Sequence, residues 1–332
     1  MYDFKVDEVV EEVRRLGASK VAVQMPEGLK PYATRLASEI EARAGCAVYV
    51  LADPCYGGCD VALDEALRLG VDLLVHFGHT EVVRHHGGLK VLYVEAQVDA
   101  PIAGLVEEAL RLVDGGSIGV VGLVQHAHRL REAVEAIERA GRRAVLPQPK
   151  GRAKWPGQVI GCDYSTARSV AGEVDAFIYV GGGLMHPVGV ALSTGRRVVA
   201  VDPVAGRVED VAREVRRLLA VRASKISEAS EAEVFGVVVG LRPGQYRPGL
   251  ADRVAEELAR AGRRAFRLAC RELSPSIEAC FPEVEAFVVT SCPLIPLFDQ
   301  EAYRRPLLTP QEALLAVRGG WSVEDYDPFK WF

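Results

Sequence analysis

The chain has 332 residues, of which 49% are hydrophobic and 26% charged, so it can bury a substantial core. Its net charge of −5 argues against a general nucleic-acid-binding surface, and no apolar run reaches the ~18 residues that a membrane-spanning helix needs. The first residues, M-Y-D-F-K-V-D-E, lack a signal peptide's apolar core, so we expect a cytoplasmic protein with no membrane or direct nucleic-acid partner.

Three blocks of alternating helices and continuously apolar strands follow one another along the chain. The first block has a helix ending at Gly17, strand K-V-A-V-Q-M, a helix ending at Gly45, strand A-V-Y-V-L, the Cys55/Cys59 loop, a short helix, and strands L-L-V-H-F-G-H and K-V-L-Y-V-E-A. The second has helix A-G-L-V-E-E-A-L-R-L-V-D-G, strand I-G-V-V-G-L, a helix ending at Gly141, strand R-A-V-L-P, the Cys162 loop, a helix, and strands A-F-I-Y-V-G-G and R-V-V-A-V-D-P. The third has a helix over about residues 206–222, a polar linker S-K-I-S-E-A-S-E-A-E, strand F-G-V-V-V-G-L, a helix ending at Gly262, and strands A-F-R-L-A and A-F-V-V-T-S-C.

An acidic residue precedes the corresponding strand of each block: Asp72, Asp175 and Glu285. Helix, glycine cap, acid and strand recur together, which indicates a triplicated unit. Continuously apolar strands between helices predict an α/β fold of three similar small parallel-sheet domains, in a pseudo-threefold arrangement around a central cluster site. We place these domains at residues 1–99, 100–204 and 205–332.

Seven cysteines in a chain with no export signal favour metal or redox chemistry over a disulfide framework. Each block contributes one cysteine to a loop near comparable strand ends, where parallel sheets bind their ligands: Cys59, Cys162 and Cys292. Three thiolates can hold an iron–sulfur cube and leave one iron open for a substrate. Cys55 stays undecided between a buried core thiol and a spare thiol near the cluster.

Residues at strand ends are the candidates for a small-ligand pocket. Gly181, Gly182 and Gly183 would let a ligand approach the backbone closely, with a structural turn as the alternative. The other candidates are Gln24, Glu27, Gly28, His79 and His186. Packing or support of a site is the alternative interpretation for the two histidines. The arginines between Arg196 and Arg222 predict a solvated helix face, with docking of an acidic partner as the alternative.

Motifs along nearly the whole chain resemble those of the diphthamide synthase family in its archaeal homodimeric form. They are V-Q-M-P-E-G-L (23–29), D-P-C-Y-G-G-C-D (53–60), H-F-G-H-T (76–80), V-Q-H-A-H (124–128), G-R-A-K-W-P-G-Q-V-I-G-C (151–162), V-G-G-G-L-M-H-P-V-G (180–189), G-Q-Y-R-P-G-L (244–250), T-S-C-P (290–293) and L-T-P-Q-E-A (308–313). One departure from the family pattern is Leu294, where a basic residue is more usual.

The resemblance implies three α/β domains around a 4Fe–4S cluster bound by Cys59, Cys162 and Cys292. It also implies the first step of diphthamide biosynthesis, with S-adenosylmethionine as cosubstrate. The bond from sulfur to the γ-carbon would break, and the 3-amino-3-carboxypropyl radical would add to a histidine of translation elongation factor 2, leaving methylthioadenosine. The implied partners are that factor, an electron donor and a second copy in a homodimer. No residue is expected to be catalytic beyond the cluster, and the strand-end candidates would form the cosubstrate pocket.

Two other interpretations stay open. Quinolinate synthase also surrounds a three-cysteine cluster with triplicated α/β units, but uses the open iron as a Lewis acid for dehydration. A non-enzymatic alternative is a solute- or partner-binding module with a structural zinc.

Overall fold

The computed structural model describes residues 2–84, 86–320, 322 and 326–330, which form two compact units. The first unit comprises described residues within 1–101, 123–129 and 242–244, and the second those within 102–122, 130–241 and 245–332. No helix in this described part is long and apolar enough to cross a membrane. The domain boundaries inferred from the repeats stay predictions.

The first unit is built on a four-stranded parallel sheet in the order β3-β2-β4-β5. Its strands are β1 (Tyr2–Asp3), β2 (Lys20–Gln24), β3 (Ala47–Val50), β4 (Leu73–Phe77), β5 (Lys90–Val94) and β6 (Gln97–Val98). Its helices are α1 (Val6–Leu16), α2 (Ala33–Ala44) and α3 (Leu63–Leu69), with 3-10 turns at Glu27–Tyr32 and Val124–Arg129. Alternate residues of β2 enter different cores, since Val21 and Val23 pack in one apolar cluster and Ala22 in another. Both faces of the sheet are therefore covered.

The second unit holds two further sheets, in the orders β11-β10-β9-β7-β8 and β13-β12-β14-β15. Their strands are β7 (Ser117–Gly122), β8 (Arg143–Val145), β9 (Ala176–Val180), β10 (Arg197–Asp202), β11 (Arg207–Asp210), β12 (Val234–Gly240), β13 (Arg264–Cys270), β14 (Ala286–Val289) and β15 (Leu307–Leu308). The helices are α4 (Ala103–Ala109), α5 (Leu130–Arg139), α6 (Ser165–Arg168), α7 (Met185–Thr194), α8 (Ala212–Ser230), α9 (Pro248–Arg260), α10 (Ile277–Cys280), α11 (Leu294–Phe298) and α12 (Pro310–Arg318). Further 3-10 turns lie at Pro243–Gln245 and Gln300–Ala302. Every strand pair in these two sheets is parallel except β10 with β11, so the predicted α/β class with parallel sheets is confirmed.

The three repeated acids share a structural role. Asp72, Asp175 and Glu285 each accept two backbone N–H bonds of 2.6–3.1 Å from residues at the start of a neighbouring strand. The donor pairs are Ser19–Lys20 at β2, Gly116–Ser117 at β7 and Glu233–Val234 at β12. One carboxylate oxygen thereby satisfies two strand-opening amides, which would otherwise lack an acceptor in the sheet. In all three blocks the repeated acid therefore helps to hold two neighbouring strands together.

The region after β10 differs from its sequence-based prediction. The helix expected over residues 206–222 begins only at Ala212, because residues 207–210 form edge strand β11. It then continues to Ser230, into the stretch 224–233 that was predicted as a polar linker. The prediction of a solvated face is wrong for Arg222, whose side chain is completely buried and pairs with Glu312 of α12.

Candidate functional site

Cys59 lies in the loop between β3 and α3 of the first unit and is half-buried. The segment Arg242–Gly244, part of the same unit, holds this loop: Gly244 donates its N–H to the Cys59 carbonyl at 2.8 Å. A Cβ added at Gly244 would lie 2.6 Å from both Cα and Cβ of Cys59, so only glycine fits there. Arg242 forms a buried ion pair with Asp60 and stacks 4.6 Å above the ring centroid of Tyr56. Sequence reasoning selected neither Arg242 nor Gly244 as a site residue, although Gly244 begins the motif G-Q-Y-R-P-G-L.

A second group of donor side chains lies in the first unit. Cys55, His76 and His79 each offer a ligand atom, and these atoms all lie within 4.8 Å of one another. Burial raises the pKa of the Cys55 thiol to about 12 and lowers the pKa of His76 well below its ordinary value. His76 was absent from the sequence-based candidates, although a histidine inside the apolar strand L-L-V-H-F was a visible signal.

Gln24, a predicted pocket residue, has hydrogen bonds at both amide atoms inside the first unit. Its Nε2 donates to the Asp60 carbonyl at 2.7 Å, and its Oε1 accepts from the Ala62 N–H at 3.1 Å and faces His76 Nδ1 at 3.0 Å. The amide therefore positions its neighbours.

Glu27 and Gly28 form the exposed 3-10 turn that follows β2. The Glu27 carboxylate pairs with Lys30 at 2.8 Å, and no atom lies within 4 Å of a Cβ built on Gly28. The turn thus leaves the Gly28 backbone open.

Cys162 and Cys292 lie in the second unit, in loops that precede α6 and follow β14. Burial raises the pKa of Tyr164 well above 10, and the charges of both cysteines act in the same direction. Cys162 and Cys292 therefore both influence the pKa of the same buried tyrosine.

Positive charge surrounds Cys162. Arg152 places Nη1 3.5 Å from its sulfur. Burial raises the pKa of the Cys162 thiol, while Arg152 and Arg247 act in the opposite direction. Sequence reasoning missed both arginines, because they precede and follow the cysteine by 10 and 85 residues.

Gly161, directly before Cys162, has two close neighbours. A Cβ there would lie 2.8 Å from Leu294 and 3.4 Å from His186 Nε2. The ring of His186 stacks on Tyr179 with its plane tilted by 10°. Burial lowers the pKa of His186 to about 4, so this imidazole is neutral at pH 7.

The glycine run connects β9 to α7. Gly181 is buried and donates its N–H to the Val201 carbonyl at 2.8 Å, while Gly182 and Gly183 are exposed. Gly183 has φ +75°, a left-handed conformation that favours glycine. The exposed pair leaves backbone accessible at the carboxyl end of a parallel strand, where ligands commonly bind.

Comparison with known proteins shows similarity over nearly the whole chain. The family model described as putative diphthamide synthesis protein matches residues 25–327. The chain is 33% identical over 329 residues to the 2-(3-amino-3-carboxypropyl)histidine synthase of Pyrococcus horikoshii, covering 98% of this chain and 94% of that protein. It is 30% identical to subunit 1 of that synthase from Mus musculus, covering 96% of this chain and 72% of the mouse protein. The crystal structure of Dph2 from Pyrococcus horikoshii with a 4Fe-4S cluster matches with a TM-score of 0.87 and 32% identity, covering 96% of this chain and 92% of that chain.

Proposed function

Because the chain belongs to the diphthamide synthesis protein family, we propose that it is a transferase for the first step of diphthamide biosynthesis. It would move a 3-amino-3-carboxypropyl group from S-adenosylmethionine to a histidine of translation elongation factor 2 and release methylthioadenosine. The match over residues 25–327 carries the proposal, supported by one cysteine outside any disulfide in a loop of each block.

The donor set fits an iron–sulfur cluster. Cys59, Cys162 and Cys292 form no disulfide and each lies half-buried in a loop, and a cube with three thiolate ligands keeps one iron open. When bound, a 4Fe–4S cluster supplies an electron and an open iron, which suits cleavage of the sulfur–γ-carbon bond to a 3-amino-3-carboxypropyl radical. The type of radical chemistry is part of this proposal.

Residues around the three cysteines would support cluster binding, either by stabilising a thiolate or by holding a loop in place. Arg152 and Arg247 favour the thiolate form of Cys162, because a nearby positive charge stabilises the anion. The apolar Leu294 stands where a basic residue is usual in the family, and Arg152 is the basic group that contacts Cys162 in this chain. In the first unit, the buried Arg242–Asp60 pair and the close packing of Gly244 hold the loop of Cys59.

The cosubstrate-binding residues belong to the same proposal. In the second unit they are Gly181, Gly182, Gly183 and His186; in the first they are Gln24, Glu27, Gly28 and His79. The exposed backbone at residues 182–183 can donate N–H bonds to a carboxylate, and a neutral His186 adds no charge beside a sulfonium. Since the Gln24 amide is already hydrogen-bonded to Asp60, Ala62 and His76, it would act by positioning. If Gly182→Val and His186→Ala bind S-adenosylmethionine as tightly as the wild type, these residues do not form the pocket.

The acceptor histidine belongs to the elongation factor, so no histidine of this chain needs to be catalytic. We further propose an external electron donor, a homodimer and a cytoplasmic location. Sedimentation of the purified chain tests the dimer directly, and a monomer at micromolar concentration would contradict it.

The deciding experiment incubates anaerobically purified protein with dithionite, labelled S-adenosylmethionine and elongation factor 2. We expect methylthioadenosine and labelled factor, with about four irons per chain. Serine at Cys59, Cys162 or Cys292 should abolish both products, whereas serine at the exposed Cys280 should not. Release of 5′-deoxyadenosine, or no cleavage, would refute the reaction. The quinolinate-synthase-like dehydratase predicts no cleavage, and a structural-zinc module predicts a colourless protein without iron.

A further inference from the structure

We propose that Cys55, His76 and His79 form a binding site for a zinc-type divalent metal ion, separate from the three-cysteine centre. Their ligand atoms lie within 4.8 Å of one another in the first unit. Cys55 and His76 are 3% and 0% exposed, while His79 is half-buried and gives the site its contact with solvent. The proposed function uses neither Cys55 nor His76.

The hydrogen bonds of Gln24 assign the tautomer of His76. Because Gln24 Oε1 already accepts from the Ala62 N–H, that atom is the carbonyl oxygen, and His76 Nδ1 must donate to it at 3.0 Å. His76 Nε2 therefore carries a lone pair, and it points at His79 Nδ1, 3.0 Å away. A metal-binding histidine typically donates its other ring N–H to an oxygen in this way, which orients the ring and raises its basicity.

The spacing of the two histidine nitrogens is close to that in tetrahedral coordination. Two imidazole nitrogens at about 2.0–2.1 Å from one zinc ion are about 3.3 Å apart in ideal geometry. The His76–His79 nitrogens, at 3.0 Å, need to separate by only a few tenths of an ångström. The proton that His79 Nδ1 donates to His76 Nε2 would move to His79 Nε2, so that both facing nitrogens could bind the metal and His79 would stay neutral.

The donor types select the metal class. One thiolate and two imidazoles suit zinc and similar transition metals, whereas magnesium and calcium prefer oxygen ligands. A backbone hydrogen bond from Gly57 reaches the Cys55 sulfur, which stays a protonated thiol without a metal. Coordination would deprotonate the thiol, and the proton would leave to solvent. Three protein ligands leave a fourth position for water.

Such an ion would connect two segments of backbone. Cys55 lies in the loop after β3, His76 at the end of β4 and His79 in the turn that follows. The Cys55 loop also carries Cys59, so the metal would act as a positioning element for that loop. His79 would then contribute to the proposed cosubstrate pocket only through Nε2.

The test measures zinc and iron in the same samples of full-length, anaerobically purified protein titrated with zinc. We expect about one zinc per chain, with zinc-edge X-ray absorption showing one sulfur and two nitrogens at about 2.3 and 2.0–2.1 Å. Cys55→Ala and His79→Ala should each lower zinc affinity at least tenfold. Cys46→Ala and His86→Ala, which change the same residue types elsewhere in the first unit, should bind zinc like the wild type.

Iron content and circular dichroism of each variant verify the fold and keep this site distinct from the three-cysteine centre. If one ligand variant fails to fold, the other decides. Equal zinc affinity in the ligand variants and the wild type would overturn the proposal, as would a zinc shell of three sulfurs. Because iron and zinc are counted separately, loss of iron–sulfur chemistry would refute the proposed function without affecting this inference.

Discussion

Replacing Arg222 by methionine tests a completely buried charge in the second unit. The guanidinium donates to both carboxylate oxygens of Glu312 at 2.8 Å and to the backbone carbonyls of Pro296 and Leu307. Glu312 also accepts from the Tyr326 hydroxyl at 2.7 Å. Removing the arginine thus leaves a buried carboxylate without its countercharge and two carbonyls without their donor.

Breaking a buried ion pair from one side costs about 3–5 kcal/mol, much of it because the remaining charge stays desolvated. The second unit has roughly 220 residues, a size at which 1 kcal/mol changes the melting temperature by about 2–4 °C. We therefore expect Arg222→Met to lower the melting temperature of this unit by about 6–20 °C. Because methionine keeps most of the apolar packing, the decrease in melting temperature reflects mainly the loss of the positive charge.

Thermal unfolding followed by circular dichroism measures the effect, with Arg216→Met as the matched control on the exposed face of α8. The double variant Arg222→Met/Glu312→Gln should lose less stability than the two single variants together, because it leaves no unpaired charge. A loss for Arg222→Met within about 0.5 kcal/mol of the control would refute this reasoning.

Three further outcomes are expected. Gly244→Ala should lower the iron content, since the new methyl group presses on Cys59, whereas Gly249→Ala, whose nearest neighbour would be 3.9 Å away, should keep it; equal iron in both would contradict the contact. The pKa of Asp72 lies below its ordinary 3.8, mainly because a backbone amide at the start of β2 donates to it. The folded-state pKa is depressed, so this stabilisation is present above the unfolded pKa and lost as pH falls through the folded value; the stability advantage over Asp72→Asn, measured by urea unfolding, should begin to decrease below about pH 4 and continue to decrease as the pH falls further. Tyr164→Phe should change stability by less than about 1 kcal/mol or increase it, because the buried hydroxyl has no hydrogen-bond partner among the described residues; a larger loss on urea unfolding would mean that the hydroxyl is bonded.

Much of the fold follows from local sequence patterns. Helix periodicity, the caps at Gly45, Gly141 and Gly262, and the apolar strands all lie within short windows, and the structure contains these elements. The caps have φ of +72°, +76° and +79°, the left-handed conformation that glycine adopts readily. The repeated acids also pointed to triplication, although their role as acceptors for strand-opening amides required the structure.

The surroundings of the candidate site were much less accessible from sequence. His76 lies in a strand that periodicity assigns to the core, and only its register with Gln24 across β2 and β4 reveals the bond that sets its tautomer. Likewise, nothing near Cys59 in the sequence indicates that Gly244, far along the chain, packs against its backbone.

By itself the sequence determined the α/β class, the threefold repetition and the cysteines available as ligands, because each depends on residue type and short-range spacing. Only the tertiary structure decided that Arg222 is buried against Glu312, that Arg152 contacts Cys162, and that two histidines and a thiol share one cluster. The physical reason is that amphipathic patterns specify which face of an element is covered, while the partner of a polar group depends on packing between residues distant in the chain.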